Sequence, residues 1–539
     1  MEIWLGWKRF ERRGPQPMLF NSYLFLFAFL PVALAGYELA GRVHRKAVIV
    51  WLGLCSLVFY AWWKPALLVI LLGSITFNYV AAELISQSIP SRVSSRVWLY
   101  IAVIANLLTL AYYKYFFPTL NNISSTVHSG RHWSNVALPL GISFFTLTQV
   151  AFLVDLYKGS AERQDIPSYL LFVTFFPHLI AGPILHHREM MPQFQKERFG
   201  LKKSDFTIGL TWFILGLGKK VLIADSFAKI ANPAFNAHAT LPMEAAWLGA
   251  LAYGLQLYFD FSGYSDMALG LARMFSIDFP LNFNSPYKSA SIIEVWQRWH
   301  MTLGRYIFTY IYNPLQRRIL QRRQRLGKGT TRRDRARPLV FLTVVALPLT
   351  FTLFVAGVWH GAGPQFMAFG LLHGIYLSVN HAWRQYRRKP SPSKKPAHPA
   401  MQFATHRISV LFTFLCVTVS IVFFRGDNLR LSFAILGSMA GIHGQGAVVQ
   451  PYADPGSAIP LLLLAKVAAG LAMVWALPNT QQILTRFRPS LDARAWNDER
   501  VPAPMRWAPS TAWSFGVASL MFVCLVHLGD ASTFLYFQF

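Results

Sequence analysis

Two histidines of this chain stand in sequence where an ionisable side chain is costly. His360 lies in Trp359-His-Gly-Ala-Gly-Pro364, a glycine-rich break between two apolar stretches, and His300 ends the run Glu294-Val-Trp-Gln-Arg-Trp-His. An ionisable group at membrane depth marks a functional site by default, because burying it is unfavourable. Imidazole takes and returns a proton near neutral pH, as the transfer of an acyl group to a hydroxyl requires. We therefore predict that His360 is a general base, and a covalent acyl-histidine stays open as the alternative.

The composition indicates which elements must hold these histidines. Of the 539 residues, 54% are hydrophobic and only 14% are charged, whereas a soluble protein carries about 25% charged residues. Apolar stretches long enough to cross a bilayer recur along the chain, and they lack the alternation of barrel strands. The sequence therefore predicts an all-α polytopic integral membrane protein with roughly 11–13 membrane helices or re-entrant segments.

The formal net charge of +28 raises the question of a nucleic-acid partner. The cations stand in short blocks between the apolar stretches, as the positive-inside rule expects of a membrane protein, so we expect no nucleic-acid partner. The densest block is a basic loop at 316–337, and a second block lies at 384–395. Both are predicted to be cytoplasmic and near anionic headgroups, so that the hairpin between them carries His360 deep into the membrane.

A single membrane domain, residues 18–539, is expected. Within it, the Pro-, Ser- and Lys-rich segment 386–403 is typical of a flexible cytoplasmic linker, and the polar stretch 483–510 is predicted to be a loop. Basic clusters flank the first apolar run on both sides, and one span cannot place both in the cytoplasm. We interpret residues 1–17 as an N-terminal extension or a mis-assigned start, with a signal peptide cleaved near Ala33-Leu-Ala35 as the alternative.

The carboxylates near the histidines allow two interpretations. Asp260 and Asp266 bracket the sequence Phe-Ser-Gly-Tyr-Ser, and Glu294 opens the tryptophan-rich run. These carboxylates could orient a histidine or bind substrate. Alternatively they could pair with Arg298 or Arg305 and hold the fold, as intramembrane charges usually do.

No metal site is expected from the sequence. The remaining histidines lack a ligand spacing, and the chain has no His-Glu-x-x-His or Cys-x-x-Cys pattern. Cys55, Cys416 and Cys524 lie in apolar runs, where cysteine behaves as a small hydrophobe, so we assign them no chemistry. The histidines without a ligand spacing are His178, His186, His187 and His373.

Several short motifs, in a fixed order, cover most of the chain from Met18 onward. They are Asp260-Phe-Ser-Gly-Tyr-Ser-Asp-Met-Ala, Asn282-Phe-Asn-Ser-Pro-Tyr287, Trp296-Gln-Arg-Trp-His300, Val358-Trp-His-Gly-Ala362, Leu372-His-Gly374, Phe424-Arg425 and Phe534-Leu-Tyr-Phe-Gln-Phe539. By these motifs the chain resembles the membrane-bound O-acyltransferase family, and most closely its alginate O-acetyltransferase branch. Gln297 departs from that branch, which often has arginine there. The basic loop at 316–337 also contains unusually many lysines and arginines.

The resemblance implies a fold and a set of site residues. The fold is a ring of tilted helices around a central tunnel. His360 would be the essential catalytic residue and His300 a second functional histidine, which positions substrate or relays a proton. Four further residues in or beside these motifs are expected to bind substrate: Trp299, Asp260, Asn284 and Glu294.

The resemblance also implies an activity and its partners. Acetyl-CoA is the expected donor, used from the cytoplasmic side without a permanently bound cofactor. The acetyl group would cross the bacterial inner membrane to an exopolysaccharide, with alginate first and cellulose or peptidoglycan open. The expected partners are the lipid bilayer, the polysaccharide acceptor and periplasmic acetyltransferase- or esterase-like proteins.

Three other functions stay open at this point. D-alanyl transfer to teichoic acid would need an acidic aminoacyl carrier, which would suit the basic loop at 316–337. A non-enzymatic transporter would also carry broken helices and intramembrane ionisable residues, but we find no inverted repeats in the sequence. A merely structural membrane subunit is the weakest alternative, because it gives no reason for His360.

Overall fold

The structure is a computed structural model that describes residues 18–88, 91–116, 118–120, 138–387, 398–442, 448–452, 459–487, 490–491, 501–530 and 532–535. Across these residues the chain is helical and contains no β-strand. The helices are α1 (Phe25–Val43), α2 (Arg45–Ala61), α3 (Pro65–Gln87), α4 (Arg92–Ala111), α5 (Ile142–Tyr157), α6 (Ile166–Thr174), α7 (Phe176–Leu179), α8 (His187–Phe194), α9 (Lys203–Asn236), α10 (Met243–Met274), α11 (Ile292–Arg298), α12 (Met301–Ile307), α13 (Asn313–Arg325), α14 (Arg332–Arg335), α15 (Pro338–His360), α16 (Pro364–Tyr386), α17 (Pro399–Arg425), α18 (Leu429–Met439), α19 (Leu461–Ala476), α20 (Thr480–Ile483) and α21 (Thr511–His527).

Six of the described helices are long and apolar enough to cross a membrane. They are α1, α3, α4 with its continuation, α9, α15 and α17, and four shorter apolar helices accompany them, namely α5, α18, α19 and α21. The outer helices expose large apolar side chains such as Phe27, Val69 and Leu108, which are 62%, 73% and 64% exposed. In a bilayer these side chains face lipid. The predicted all-α polytopic membrane protein is therefore confirmed, while the ring around a central tunnel stays a prediction.

The centre of the protein is α10, which packs along α9 through glycines. A Cβ atom added at Gly216 would lie 2.7 Å from the carbonyl oxygen of Gly263, and one added at Gly263 would lie 2.8 Å from the carbonyl oxygen of Gly216. Gly209 and Gly270 repeat the same reciprocal contact seven residues, or about two helical turns, along the two helices. Small residues let two membrane helices approach backbone to backbone, and here they bring the polar residues of α9 and α10 together.

The hairpin of α15 and α16 carries His360 at its turn. Gly357 and Gly370 face each other, so that an added Cβ on either would clash with the backbone of the other helix. The helix α15 ends where Gly361 adopts an extended conformation, and Pro364 begins α16 three residues further on. The close packing of this hairpin therefore fixes the position of the last turn of α15.

Five π-helical turns interrupt the described helices, and three of them hold buried or half-buried polar contacts. Lys114 lies in the turn Tyr112–Phe116 that continues α4, and Lys220 lies in the turn Lys219–Ala224 within α9. Tyr310 lies in the turn Phe308–Tyr312 that links α12 to α13. Such turns redirect side chains out of the regular helical register and often occur at functional sites.

The structure refines the predicted loops. The basic loop at 316–337 is largely helical, in α13 and α14, and α14 begins with a capping box in which hydrogen bonds from Thr331 lower the pKa of the Asp334 carboxyl. In the predicted linker 386–403, α16 ends at residue 386 and α17 begins at residue 399, and most of what lies between is outside the described residues. The stretch 483–510 is described in part and contains two short 3₁₀ turns. Residues 1–17 lie outside the described residues.

Candidate active site

His300 and His360 line the same buried cavity. The cavity has a volume of about 50 Å³, and helices α10, α11, α12, α16 and α17 supply its other walls. Those walls are mainly apolar and aromatic, and they include Trp296, Trp299 and His373. The structure therefore brings together the two histidines that the sequence singled out, at a site with room for a small group beside them.

His360 is held among aromatic rings. The side chain is 8% exposed, and its ring centroid lies 4.9 Å from that of Trp359, 5.0 Å from that of Phe424 and 6.2 Å from that of Phe369. Because α15 ends at His360, the imidazole stands at the carboxyl end of a membrane helix and points into the cavity rather than along the helix surface. The surrounding rings shield most of the imidazole from solvent.

Two neighbouring residues of the π-helical turn Tyr112–Phe116 hold the carbonyl groups that precede His360. The Lys114 ammonium donates to the carbonyl oxygen of Trp359 at 2.5 Å, and the Tyr115 hydroxyl donates to that of Val358 at 2.7 Å. The last carbonyls of a helix lack intrahelical partners and attract cations. Lys114 and Tyr115 therefore anchor the end of α15 from which His360 projects.

Sequence reasoning missed Lys114, although the signal was present. A lysine within the apolar run around Tyr112-Tyr-Lys-Tyr-Phe116 is as costly at membrane depth as His360 itself. Lys114 is 7% exposed, and its Nζ also lies 3.5 Å from the Ser143 hydroxyl and 5.5 Å from the centroid of the Trp359 ring. The buried ammonium is thus stabilised by helix carbonyls, a hydroxyl and an aromatic face.

The tautomer of His300 is set by Asn282. The Nδ1 atom of His300 lies 2.9 Å from Oδ1 of Asn282, and the Asn282 amide nitrogen donates to the Ser265 hydroxyl at 3.2 Å. The Thr302 hydroxyl donates to the same Oδ1 at 3.0 Å. An amide oxygen only accepts, so Nδ1 carries the proton and Nε2 carries the lone pair. His300 thus offers Nε2 as a proton acceptor.

The backbone of His300 is strained and held in place. Its φ of 43° lies in the left-handed region, which costs a residue other than glycine about 1–3 kcal/mol. The segment Asn282 to Asn284 pairs with the junction between α11 and α12, because Asn284 N donates to the Arg298 carbonyl at 2.8 Å and Met301 N donates to the Asn282 carbonyl at 2.9 Å. This pairing places both His300 and the residue that orients it.

Asn284 belongs to a buried amide network. Its Oδ1 accepts from Asn479 at 2.8 Å and from Gln481 at 3.2 Å, and Gln481 also donates to the Phe283 carbonyl at 2.7 Å. The network therefore clamps the segment that contains Asn282. The run of amide side chains in Asn479-Thr-Gln-Gln, just after an apolar stretch, could have predicted this hydrogen-bond network. A role of Asn284 in substrate binding stays a prediction.

Asp260 and Asp266 form ion pairs with adjacent lysines of the π-helical turn within α9. Asp260 Oδ1 lies 2.6 Å from Lys220 Nζ, which also lies 2.8 Å from Asp225 Oδ1. Asp266 Oδ2 lies 2.6 Å from Lys219 Nζ. Neither aspartate is among the residues that line the cavity. These contacts match the structural interpretation of both carboxylates, with lysines rather than the expected arginines, and substrate binding by Asp260 stays untested.

Glu294 and Trp299 occupy different positions relative to the cavity. Glu294 pairs with Arg298 at 2.9 Å, as one interpretation of the sequence expected, and accepts from Ala290 N at 2.9 Å. Trp299 lines the cavity and packs edge-on against Phe283, with centroids 5.1 Å apart. Trp299 is therefore placed to contact a substrate, whereas Glu294 stabilises the start of α11.

His373, to which the sequence gave no role, orients Trp296. The Trp296 indole donates to His373 Nδ1 at 3.2 Å, so that Nε2 of a neutral ring carries the proton and donates to Ser420 Oγ at 2.9 Å. The Ser420 hydroxyl in turn donates to the Val417 carbonyl at 2.7 Å. Both ring nitrogens of His373 are thus engaged, which suits a positioning residue on the cavity wall.

Comparison with known proteins places these residues in a family. A family model described as MBOAT, membrane-bound O-acyltransferase family, matches residues 97–327. A peptidoglycan O-acetyltransferase from Helicobacter pylori is 39% identical over 456 residues, which covers 79% of this chain and 80% of that protein. A probable alginate O-acetylase from Pseudomonas aeruginosa is 35% identical over 428 residues, 78% of this chain and 75% of that protein.

A more distant similarity extends to a third kind of protein. A teichoic acid D-alanyltransferase from Bacillus subtilis is 27% identical over 293 residues, 53% of this chain and 69% of that protein. The three relatives named here carry acyltransferase names, and the matched parts of the first two span the cavity and its two histidines together with most of the chain.

Proposed function

The chain belongs to the membrane-bound O-acyltransferase family, and from that premise we propose that it transfers an acetyl group from a cytoplasmic thioester, acetyl-CoA, to hydroxyls of an extracytoplasmic glycan. The observation that carries the proposal is the shared cavity of His300 and His360. An acyltransferase needs a proton acceptor beside the attacking hydroxyl and the thioester carbonyl. The enzyme class excludes the transporter and the merely structural subunit.

The proposed reaction assigns a separate task to each histidine. His360 removes the proton from the acceptor hydroxyl as its oxygen attacks the thioester carbonyl carbon. The carbon–sulfur bond then breaks, the acetyl group stays on the acceptor oxygen, and the proton passes to the leaving thiolate. His300 accepts a hydrogen bond at Nε2 from the imidazolium of His360, and Asn282 keeps that nitrogen unprotonated.

The cavity supports a short acyl group. A volume of about 50 Å³ between aromatic and branched apolar side chains accommodates a two-carbon acyl group, whereas a long fatty acyl chain would need the walls to move. The apolar walls also exclude water, which would otherwise hydrolyse the thioester. Acetyl transfer is therefore the reaction to test first.

Two glycans are candidates for the acceptor. The relative named for peptidoglycan matches more residues at higher identity than the relatives named for alginate, so peptidoglycan is the acceptor to test first. Alginate follows on the strength of several relatives at 34–36% identity. D-alanyl transfer to teichoic acid has less support, because that similarity covers about half of this chain.

The proposed location is the bacterial inner membrane, with the basic helices α13 and α14 on the cytoplasmic side. The positive-inside rule favours this orientation, since the exposed arginines of α13 and α14 flank the hairpin of α15 and α16. Periplasmic acetyltransferase- or esterase-like proteins would act on the same polymer, and they are not needed for transfer to a soluble glycan fragment.

The donor can be tested with the purified full-length chain in proteoliposomes. We expect release of CoA thiol from acetyl-CoA only when a glycan fragment is supplied, with the acetyl group recovered as an ester on that fragment. Palmitoyl-CoA serves as the control for acyl length and should give no transfer. Thiol release that is equal with both donors, or ester formation only with a D-alanyl carrier protein, would overturn the proposal.

A further inference from the structure

A second group of polar residues lies outside the cavity, where α5, α8 and the π-helical turn Phe308–Tyr312 meet. Asp155 of α5, His186 and His187 at the start of α8 place their ligand atoms within 4.8 Å of one another. We propose that these three side chains bind a divalent metal ion such as Zn²⁺. The inference is independent of the acetyl-transfer proposal, and its test reads metal content rather than activity.

The separations between the three side chains fit coordination of one ion. Oδ2 of Asp155 lies 2.8 Å from Nε2 of His186 and 3.6 Å from Nδ1 of His187. Zinc binds imidazole nitrogen and carboxylate oxygen at about 2.0–2.2 Å, so tetrahedral ligands lie about 3.4 Å apart. The Asp155–His187 separation is close to this value, and the Asp155–His186 pair, now at hydrogen-bond distance, must open by about 0.6 Å to admit an ion between its two atoms.

His187 supplies the strongest evidence for a cation. The ring is 5% exposed, and its Nε2 lies 3.2 Å from the Ser160 carbonyl oxygen, which can only accept. Nε2 of the neutral ring therefore carries the proton, and Nδ1 turns its lone pair towards the Asp155 carboxylate, without a hydrogen-bond partner in the described structure. Two acceptors that face each other in a buried place are stabilised by a cation between them. Metal-bound histidines commonly fix the second nitrogen on a carbonyl in this way.

Tyr310 offers a fourth group at the same place. Its hydroxyl lies 2.6 Å from Asp155 Oδ2 and 2.8 Å from His186 Nε2. With a metal bound, this hydroxyl can donate to the carboxylate and orient it. His186 Nδ1 contacts the Arg188 amide only at 3.4 Å, a weak contact that the ring gives up when Nε2 binds metal. Lys158 and Arg188 add positive charge nearby, so moderate rather than very tight affinity is expected.

A metal at this place would link three parts of the fold. Asp155 lies in the last turn of the apolar helix α5, and the two histidines begin the short helix α8. Tyr310 lies in the π-helical turn that immediately precedes the basic helix α13. The sequence predicted no metal because a His-His pair with an aspartate 31 residues earlier matches no ligand spacing, and only the fold brings the groups together.

The test is metal analysis of the full-length chain, purified in detergent with a tag that lacks histidine. After incubation with Zn²⁺ and desalting, we expect inductively coupled plasma mass spectrometry to find about one zinc ion per chain. His187→Ala and Asp155→Asn should each lose most of that ion. His406→Ala is the matched control, because His406 is an exposed histidine of α17 and its loss should leave the zinc content unchanged.

A second measurement covers the case in which a variant fails to fold. Co²⁺ added to the unmodified chain should give the visible absorption bands of a tetrahedral site with nitrogen ligands, and Zn²⁺ should remove them. Zinc content equal in the unmodified chain and in folded His187→Ala would overturn the proposal. So would the absence of those bands when Co²⁺ is added to the unmodified chain.

Discussion

Asn282 Oδ1 lies 2.9 Å from His300 Nδ1 and determines which nitrogen of that imidazole carries the proton. The Ser265 hydroxyl, which accepts from the Asn282 amide nitrogen at 3.2 Å, fixes the orientation of the amide. A chain of three side chains thus runs from α10 to the cavity. Its consequence is a His300 ring that presents a lone pair, on a backbone held in the left-handed region.

Replacing Asn282 with leucine should separate orientation from binding. Leucine has the branched shape of asparagine but cannot accept from Nδ1, so the ring of His300 can turn or change tautomer. We expect kcat for acetyl transfer to fall about 10–100-fold with little change in KM for acetyl-CoA. Asn282→Asp keeps the acceptor and is the matched control, which should retain more activity than the leucine variant. Equal losses in the two variants would contradict the role of the acceptor.

Lys114 should control the position of His360 without contacting the substrate. Lys114→Met removes the donor to the Trp359 carbonyl, and we expect kcat to fall by up to about 100-fold because a displacement of the catalytic group by about 1 Å suffices for such a loss. Lys114→Gln retains a donor and should recover part of the rate. Tyr115→Phe removes the neighbouring hydrogen bond to Val358 and should give a smaller loss. Steady-state kinetics on proteoliposomes would show no change in any variant if the anchoring were irrelevant.

The pair of Lys220 and Asp260 should matter for stability. Breaking a buried ion pair by removing one partner leaves an uncompensated charge and costs about 3–5 kcal/mol. We expect Lys220→Met to lower the thermal unfolding temperature in detergent and the abundance in membranes. Asp260→Asn should do the same, while the fraction that folds keeps a normal KM for the acceptor. A raised KM at unchanged stability would instead support Asp260 as a substrate-binding residue.

The contact of α9 with α10 should not tolerate a side chain at its glycines. Gly263→Ala places a methyl group 2.8 Å from the backbone oxygen of Gly216, so the helices must separate, and we expect a loss of about 1–3 kcal/mol. Gly516→Ala in α21 is the matched control, since no atom of the described residues lies within 4 Å of its added Cβ. Alanine there should be neutral or stabilise the helix by up to about 1 kcal/mol. Chemical unfolding in detergent measures both variants, and equal stabilities would contradict the packing argument.

The sequence identified the two histidines because an ionisable side chain in apolar sequence has few explanations. The same argument applies to Lys114 and Lys220, which also lie in apolar sequence, but the sequence does not reveal their partners. Hydropathy predicted the helical membrane fold, because each span satisfies its own backbone and is therefore a local property of the chain. Those features could be predicted without knowing how the helices pack.

The remaining features depend on contacts that no local pattern reveals. Asn282 acts on His300 from 18 residues away, and Lys114 acts on Trp359 from 245 residues away. Asp260 lies in one of the motifs that resemble the family, yet its partner Lys220 lies in a π-helical turn that hydropathy cannot predict. Tertiary packing decides which polar residues of the apolar helices face the cavity and which hold the helices together.

The most direct test of the account is the ester-linked acetate of peptidoglycan and alginate from cells that carry His360→Ala. The acetate is released with mild base and quantified, and the membrane abundance of the variant is measured in parallel. His406→Ala, at an exposed position of α17, is the control and should behave as the unmodified chain. The account predicts loss of glycan acetate at normal abundance of the His360 variant. Acetate retained at the level of the control would contradict the central claim that His360 is the catalytic base.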